Sequence, residues 1–204
     1  MIFQNCLDHK LVHRINLSLV SCNTCCSFDP YVLNKSGGTF INTNSNNIDV
    51  MFIAQNPGIS NAEINFMPQD IIPFGLSEEN HYHYFFDNFY ERFVDNFQRE
   101  PVFYITNTIK CITEKNLLPM QLTVDKCYNK YLRREILFFD IVFERTYLII
   151  LLGLLSKTIQ NKKFINKRNP LLLPHPGFMN RKGNWFVQQN VEKIIDRLKK
   201  GNII

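Results

Sequence analysis

The chain has 204 residues, of which 45% are hydrophobic, and its net charge is +5. This length and hydrophobic content suit one well-buried domain, and the chain is too short for two. Its longest apolar run, residues 147–155, is too short to span a bilayer. With six cysteines and no basic, apolar leader at the N-terminus, we expect a single domain over residues 1–204 in the cytoplasm.

The positive charge is concentrated in the last quarter of the chain. Residues 156–204 contain eleven Lys or Arg and two Asp or Glu, whereas residues 1–155 contain twelve and sixteen. This asymmetry fits a polyanionic partner and fits a solvated basic surface equally well.

Secondary structure follows from the spacing of apolar residues. The Asn-, Ser- and Gly-rich residues 34–47 predict a surface loop or hairpin before the first core strand. Apolar runs at 48–54, 101–107, 146–152 and 170–174 predict four strands. Apolar residues at helical spacing predict helices over 80–98 and 123–143 and in the terminal segment "VEKIIDRLKK". Alternating helices and fully apolar strands predict a parallel sheet covered on both faces.

Short, unusual segments follow each predicted strand: "QNPG", "TNTIKC", "LLG" and "HPGFMN". In open parallel sheets, ligands bind beyond the carboxyl ends of the strands. We therefore expect Asn56, Asn107 and His175 to border one crevice.

Four cysteines have the spacing of a metal site. Cys22 and Cys25 form a C-x2-C pair, Cys111 follows the second predicted strand, and Cys127 begins the next helix. Four thiolates suit either zinc or an iron–sulfur cluster. Cys26 is an alternative to Cys25, and four unrelated thiols are the alternative to a metal site.

The ordered segments "VMFIAQNPG", "IIPFG", "YITNTIKC", "KCYNKYLRREI", "LIILLG" and "LPHPG" resemble the uracil-DNA glycosylase superfamily, and most closely its iron–sulfur branch, families 4 and 5. The resemblance covers roughly residues 20 to 200. It implies a three-layer α/β/α sandwich with a central four-stranded parallel sheet. It also implies a structural [4Fe–4S] cluster on Cys22, Cys25, Cys111 and Cys127, with zinc as the alternative.

The resemblance assigns roles to the strand-end residues. The iron–sulfur branch has G-E-A-P-G where this chain has A-Q-N-P-G, and Asn56 matches the Asn that positions water in the G-x-N-P-G motif of the mismatch-specific and single-strand-selective branches. His175 would stabilise the departing base through O2. For binding the base, Phe74 would stack on it, Asn107 would read its edge, and Gln55 would contact it through the backbone.

Two further segments bear on substrate and DNA contact. Gly58 occupies a position where the most uracil-selective branch has a bulky Tyr, so a larger 5-modified pyrimidine, such as one in phage DNA attacked as a defence, is a second substrate hypothesis. After the His-Pro motif, Arg181 and Lys182 would contact phosphates, and Phe178 or Met179 would fill the gap left by the flipped base. We expect a monomeric DNA glycosylase specific for uracil, with a catalytically inactive DNA-binding member of the superfamily as a third hypothesis.

Overall fold

The computed structural model describes residues 10–20, 22, 24, 25, 27–30, 32–36, 39–42, 45, 47–55, 81–113, 119–142 and 146–201. Its strands are β1 (Val32–Ser36), β2 (Phe40–Ile41), β3 (Val50–Ala54), β4 (Phe103–Asn107), β5 (Cys111–Thr113), β6 (Leu148–Leu152) and β7 (Leu171–Leu173). Its helices are α1 (Lys10–Val20), α2 (His81–Phe97), α3 (Gln121–Cys127), a π-turn (Tyr128–Leu132), α4 (Arg133–Val142), α5 (Leu154–Lys157), α6 (Lys163–Asn166), α7 (Pro176–Lys182) and α8 (Asn184–Lys200).

The central sheet has the strand order β2-β4-β3-β6-β7. Strands β3, β4, β6 and β7 are parallel, as predicted, and they are the four apolar runs of the sequence. Their carboxyl ends, at Ala54, Asn107, Leu152 and Leu173, lie along one edge of the sheet.

The four predicted parallel strands are confirmed, and a fifth, antiparallel strand that was not predicted joins them at the edge of the sheet. Strand β2 pairs antiparallel with β4, matching Phe40 with Ile105 and Ile41 with Tyr104. It lies inside the polar segment 34–47, where two apolar residues are too short a run to mark a strand. Both side chains are fully buried, so burial of Phe40 and Ile41 fixes this edge of the sheet.

Helices cover both faces of the sheet and complete the predicted three layers. On one face, Met51 and Ile53 share a core with residues of α1, α3 and α4. On the other, Val50 and Phe52 share a core with residues of α2, α7 and α8. The Phe52 ring makes edge-on contacts with Phe86 and Phe89 of α2 at 5.0 and 5.2 Å between ring centroids, so the aromatic residues of α2 are core residues.

The helix predicted over 123–143 is longer at its start and is interrupted. Residues 121–142 are helical throughout, but the π-turn lies directly after Cys127. The backbone N–H of Arg133 donates to the Tyr128 carbonyl, five residues back. Among the residues that the structure describes, no helix is long and apolar enough to cross a membrane.

Candidate active site at the carboxyl edge of the sheet

A cavity of about 500 Å³ lies beyond the carboxyl ends of β3, β6 and β7. Its lining residues are Gln55, Gly153, Leu154, Lys157, Leu172, Leu173, Pro174, His175 and Phe178. Of the three residues expected to border one crevice, His175 lines this cavity, together with Gln55 from 120 residues earlier in the chain. Asn56, Gly58 and Phe74 lie outside the described residues.

Gln55 and Gly153 lie close together in the lining of this cavity. The Gln55 side-chain oxygen accepts a hydrogen bond from the Leu155 N–H at 3.2 Å, at the start of α5. Gly153 has a φ of +86°, and a Cβ there would lie 3.0 Å from the Gln55 Cδ. Its own N–H donates to the Leu173 carbonyl at 2.9 Å. A side chain at Gly153 would displace Gln55, so the "LLG" segment needs glycine both for its conformation and for space.

His175 lies in the turn between β7 and α7 and caps that helix. Its Nδ1 accepts a hydrogen bond from the Gly177 N–H at 3.3 Å, and Pro176 occupies the first helical position. Burial, with a smaller contribution from the positive charge of Arg181, lowers the pKa of His175 to about 4. The ring is therefore neutral at pH 7. Because Nδ1 accepts a hydrogen bond, the proton resides on Nε2, which becomes a donor.

Asn107 ends β4, beside the end of β3, and does not line the cavity described above. Backbone hydrogen bonds tie the following turn to β3: the Thr108 N–H donates to the Ala54 carbonyl at 2.7 Å, and the Ile109 N–H to the Gln55 carbonyl at 3.0 Å. The Asn107 side chain is fully buried, and neither its Nδ2 nor its Oδ1 has a hydrogen-bond partner in the described part of the chain. A buried amide without partners is costly, so this side chain has one donor and one acceptor available for a ligand.

The four predicted cysteine ligands are all buried, and none forms a disulfide. The Cys111 thiol lies within hydrogen-bonding distance of the Cys22 and Cys25 sulfurs. This hydrogen bond lowers the pKa of Cys22 to about 4 and lowers the pKa of Cys25, while the pKa of Cys111 is raised. Burial raises the pKa of Cys127 to about 12.

Polar groups around the thiols suit thiolate ligands. The Lys110 N–H donates to the Cys127 sulfur at 3.2 Å, and the Lys130 ammonium lies 3.5 Å from the Cys22 sulfur and 2.9 Å from the Thr24 hydroxyl. No group of three or more His, Cys, Asp or Glu side chains within the described ranges is spaced to hold a single metal ion. Cys22 and Cys25 each lie within hydrogen-bonding distance of Cys111, and Cys127 interacts with Cys111 electrostatically. Four thiols from three segments, with N–H donors to sulfur, have the donor chemistry of an iron–sulfur ligand set.

An ion pair inside the protein was not predicted from the sequence. The Lys110 ammonium lies 2.6 Å from the Glu135 carboxylate, and both side chains are 0% exposed. Lys110 also donates to the Thr106 hydroxyl. Nearby, burial raises the pKa of Tyr104 well above its usual range, and the charge of Glu135 raises it further. Nothing in the spacing of Lys110 and Glu135 marks them as partners, because their contact depends on how α4 packs against the β4–β5 turn.

Helix α7 divides the predicted DNA-contacting residues into two groups. Phe178 is 41% exposed and lines the cavity, and Arg181 and Lys182 are exposed beside it. The Lys182 ammonium lies 5.6 Å from the centroid of the Phe178 ring. Met179 is fully buried in the core shared with α2 and α8. The prediction that Met179 reaches DNA is therefore not supported, and Phe178 is the residue of the pair that faces outward.

Comparison with known proteins agrees with this geometry. A search of curated proteins finds no match. The family model described as the uracil DNA glycosylase superfamily matches residues 40–199, which include β2 to β7 and most of α8. Members of that superfamily are generally DNA glycosylases, which suggests DNA as the substrate and base excision as the reaction. The chain belongs to the uracil DNA glycosylase superfamily.

Proposed function

We propose that this protein is a DNA glycosylase that excises uracil by hydrolysing its N-glycosidic bond. The observation that carries the proposal is the neutral imidazole of His175 in the lining of a cavity beyond the strand ends, with Nδ1 accepting from the Gly177 N–H and the ring proton therefore on Nε2. Excision leaves negative charge on the departing base, and a hydrogen-bond donor at O2 stabilises that charge.

The other strand-end residues divide the remaining tasks. Asn56 orients the attacking water, and Phe74 stacks on the flipped base. The buried Asn107 amide supplies a donor for uracil O4 and an acceptor for N3–H, which accounts for its lack of partners among the described residues. Gln55 is tied to Leu155 through its side chain and to Ile109 through its carbonyl, so its backbone N–H is the group that remains for the base edge.

Cys22, Cys25, Cys111 and Cys127 hold a [4Fe–4S] cluster in this proposal, with zinc as the alternative metal. The cluster acts as a structural crosslink between the segment after α1, the β4–β5 turn and the end of α3. Because Cys111 is four residues after Asn107, the crosslink restrains the turn that positions the base-reading amide.

In this proposal, DNA is contacted by Phe178, Arg181 and Lys182 of α7. The two cations neutralise phosphates, and the exposed Phe178 ring at the cavity fills the space left by the flipped nucleotide. The other residues of the basic C-terminal quarter, such as Lys157 in the cavity wall, add to the attraction for a polyanion.

Release of free base tests the proposal. The purified protein should release uracil from a uracil-containing oligonucleotide and leave an alkali-labile site, while an otherwise identical thymine oligonucleotide stays intact. DNA binding without release of any base would contradict the enzymatic proposal and favour the inactive, DNA-binding alternative.

A second substrate has support from one sequence feature. Gly58 leaves room where the most uracil-selective branch has Tyr, which favours a 5-modified pyrimidine such as 5-hydroxymethyluracil or a bulkier phage base. Replacing Gly58 by Tyr separates the two substrates: excision of the modified base should fall by much more than excision of uracil. An equal effect on both would remove the support for the second substrate.

A further inference from the structure

An aromatic row runs from the cavity onto the surface at the start of α8. The Phe178 ring at the cavity contacts the Phe186 ring at 6.2 Å between centroids, and Phe186 contacts Trp185 at 5.3 Å. Trp185 is 63% exposed, and the sequence contains one tryptophan. A large, exposed aromatic ring beside a candidate active site is a potential contact surface.

Local structure holds this ring in place. Gly183 ends α7 with a φ of +98°, and a Cβ at Gly183 would lie 3.6 Å from the Trp185 Cδ1. The indole therefore lies near Gly183 and makes an edge-on contact with the Phe186 ring. A ring that is already oriented loses little freedom when a ligand stacks on it.

The charges around the ring select a polyanion. Residues 176–191 contain no Asp or Glu, and the exposed Arg181 and Lys182 precede the indole by four and three residues. Aromatic faces interleaved with cations are the recurring surface for single-stranded nucleic acid, where bases stack and phosphates pair with Lys or Arg.

We propose that Trp185 stacks on an unpaired nucleobase adjacent to the excised one, so that the enzyme prefers DNA whose flanking base is free. This inference rests on the DNA binding of the proposed function and does not depend on the excision of uracil. A base inside a duplex is covered on both faces by its neighbours, and it becomes available to Trp185 only in single strands, bubbles or mismatched sites. Phe178 and Trp185 thus have separate partners: Phe178 fills the gap of the flipped nucleotide, and Trp185 binds the next base along the strand.

Tryptophan fluorescence measures this contact directly, because the signal comes from Trp185. Titration with a short single-stranded oligothymidylate should quench the emission, since a stacked base deactivates the excited indole. The same oligonucleotide in duplex with oligodeoxyadenylate should quench it much less. An unchanged emission with single strands, or equal quenching by the duplex, would overturn the proposal.

Variants measure the contribution of the stack with labelled oligonucleotides. Replacing Trp185 by Ala should weaken single-strand binding about 5- to 100-fold, and replacing it by Phe should restore most of the affinity. The matched control is Ile141→Ala, which truncates a side chain that is 81% exposed near the end of α4. Equal weakening of single-strand and duplex binding by Trp185→Ala would contradict the role in reading an unpaired base.

The two proposals fail separately. If the protein releases uracil but Trp185→Ala changes neither binding nor KM for single-stranded substrate, the stacking proposal is wrong and the glycosylase proposal stands. If Trp185 is quenched by single strands and no base is released, the stacking surface stands and the glycosylase proposal is wrong. Where both hold, Trp185→Ala should raise KM for single-stranded uracil DNA with little change in kcat.

Discussion

The two halves of the sheet's carboxyl edge differ in chemistry. On the β4 side, the thiols, the Asn107 amide and the Lys110–Glu135 pair are all buried. On the β7 side, Phe178, Arg181, Lys182 and Trp185 are exposed, and Phe178 lines the cavity. We therefore expect substitutions of the thiols and of the Lys110–Glu135 pair to act through folding and metal content. Substitutions on the β7 side, and of Asn107 on the β4 side, should act through substrate binding and the rate of excision.

The largest effect should come from the thiols. Replacing Cys111 by Ser removes the cysteine that contacts both Cys22 and Cys25. Under the proposed iron–sulfur ligation, this variant should lack the iron and visible absorbance expected of the parent protein and should unfold at a lower temperature. Cys26→Ser is the control, because it removes a neighbouring thiol and should leave metal content unchanged. Elemental analysis distinguishes iron from zinc. If Cys26→Ser loses the metal and Cys25→Ser retains it, Cys26 is the ligand in place of Cys25.

Breaking the buried ion pair should be the next largest effect. Lys110→Met leaves the Glu135 carboxylate buried without its cation, which should reduce the free energy of unfolding by about 3–5 kcal/mol. Urea denaturation measures this change. Adding Glu135→Leu to Lys110→Met should recover much of the loss. The control is Lys162→Met, which breaks the half-exposed pair with Asp125 and should cost about 1 kcal/mol or less.

On the β7 side, replacing His175 should reduce the rate of excision by about 100- to 1,000-fold. His175→Asp is the sharpest variant, because its carboxylate can still accept from the Gly177 N–H and cap α7, but it cannot donate to the base. Single-turnover release of uracil measures the rate, and thermal unfolding shows whether the fold is intact. His175→Asn offers both an acceptor and a donor and should recover part of the rate.

The lowered pKa of His175 predicts a dependence of stability on pH. Because the folded state resists protonation down to about pH 4 while an ordinary imidazole has a pKa of 6.5, the unfolded state binds the proton first as the pH falls. The contribution of His175 is therefore complete above pH 6.5 and is lost towards pH 4, by about 3 kcal/mol. Urea denaturation from pH 7 to 4 should show a steeper loss for the native protein than for His175→Asn. Parallel curves would contradict the assignment.

A smaller loss of stability and of excision rate is expected from a substitution at Gly153. Gly153→Ala places a Cβ against the Gln55 side chain at a φ of +86°, which should cost about 1–3 kcal/mol of stability and slow excision by displacing Gln55. Gly201→Ala is the matched control, because Gly201 has an ordinary helical φ of −82° and is exposed. Equal effects of the two substitutions would mean that the contact between Gly153 and Gln55 is unimportant.

Apolar spacing was sufficient to predict the four parallel strands and the helices α2, α3–α4 and α8, because each of those elements buries a regular face; α1, α5, α6 and α7 were not predicted. Strand β2 escaped detection because it has two residues. Met179 was misplaced because neighbours on a helix point about 100° apart, and nothing in the sequence indicated that Phe178 faces outward. The Lys110–Glu135 pair and the closeness of His175 to Gln55 depend on tertiary packing, which local patterns do not encode.

The π-turn at Tyr128–Leu132 sets the rotational phase of the helix around it. Two turns of an α-helix take about 7.2 residues, and a π-turn takes about one residue more than an α-turn. The eight residues from Cys127 to Glu135 therefore complete about two whole revolutions, where a regular α-helix would offset the two side chains by about 80°. Both consequently point at Lys110: the Cys127 sulfur accepts its backbone N–H, and the Glu135 carboxylate pairs with its ammonium. One widened turn thus lets a single lysine join a predicted cysteine ligand and a buried carboxylate on the same face of the helix.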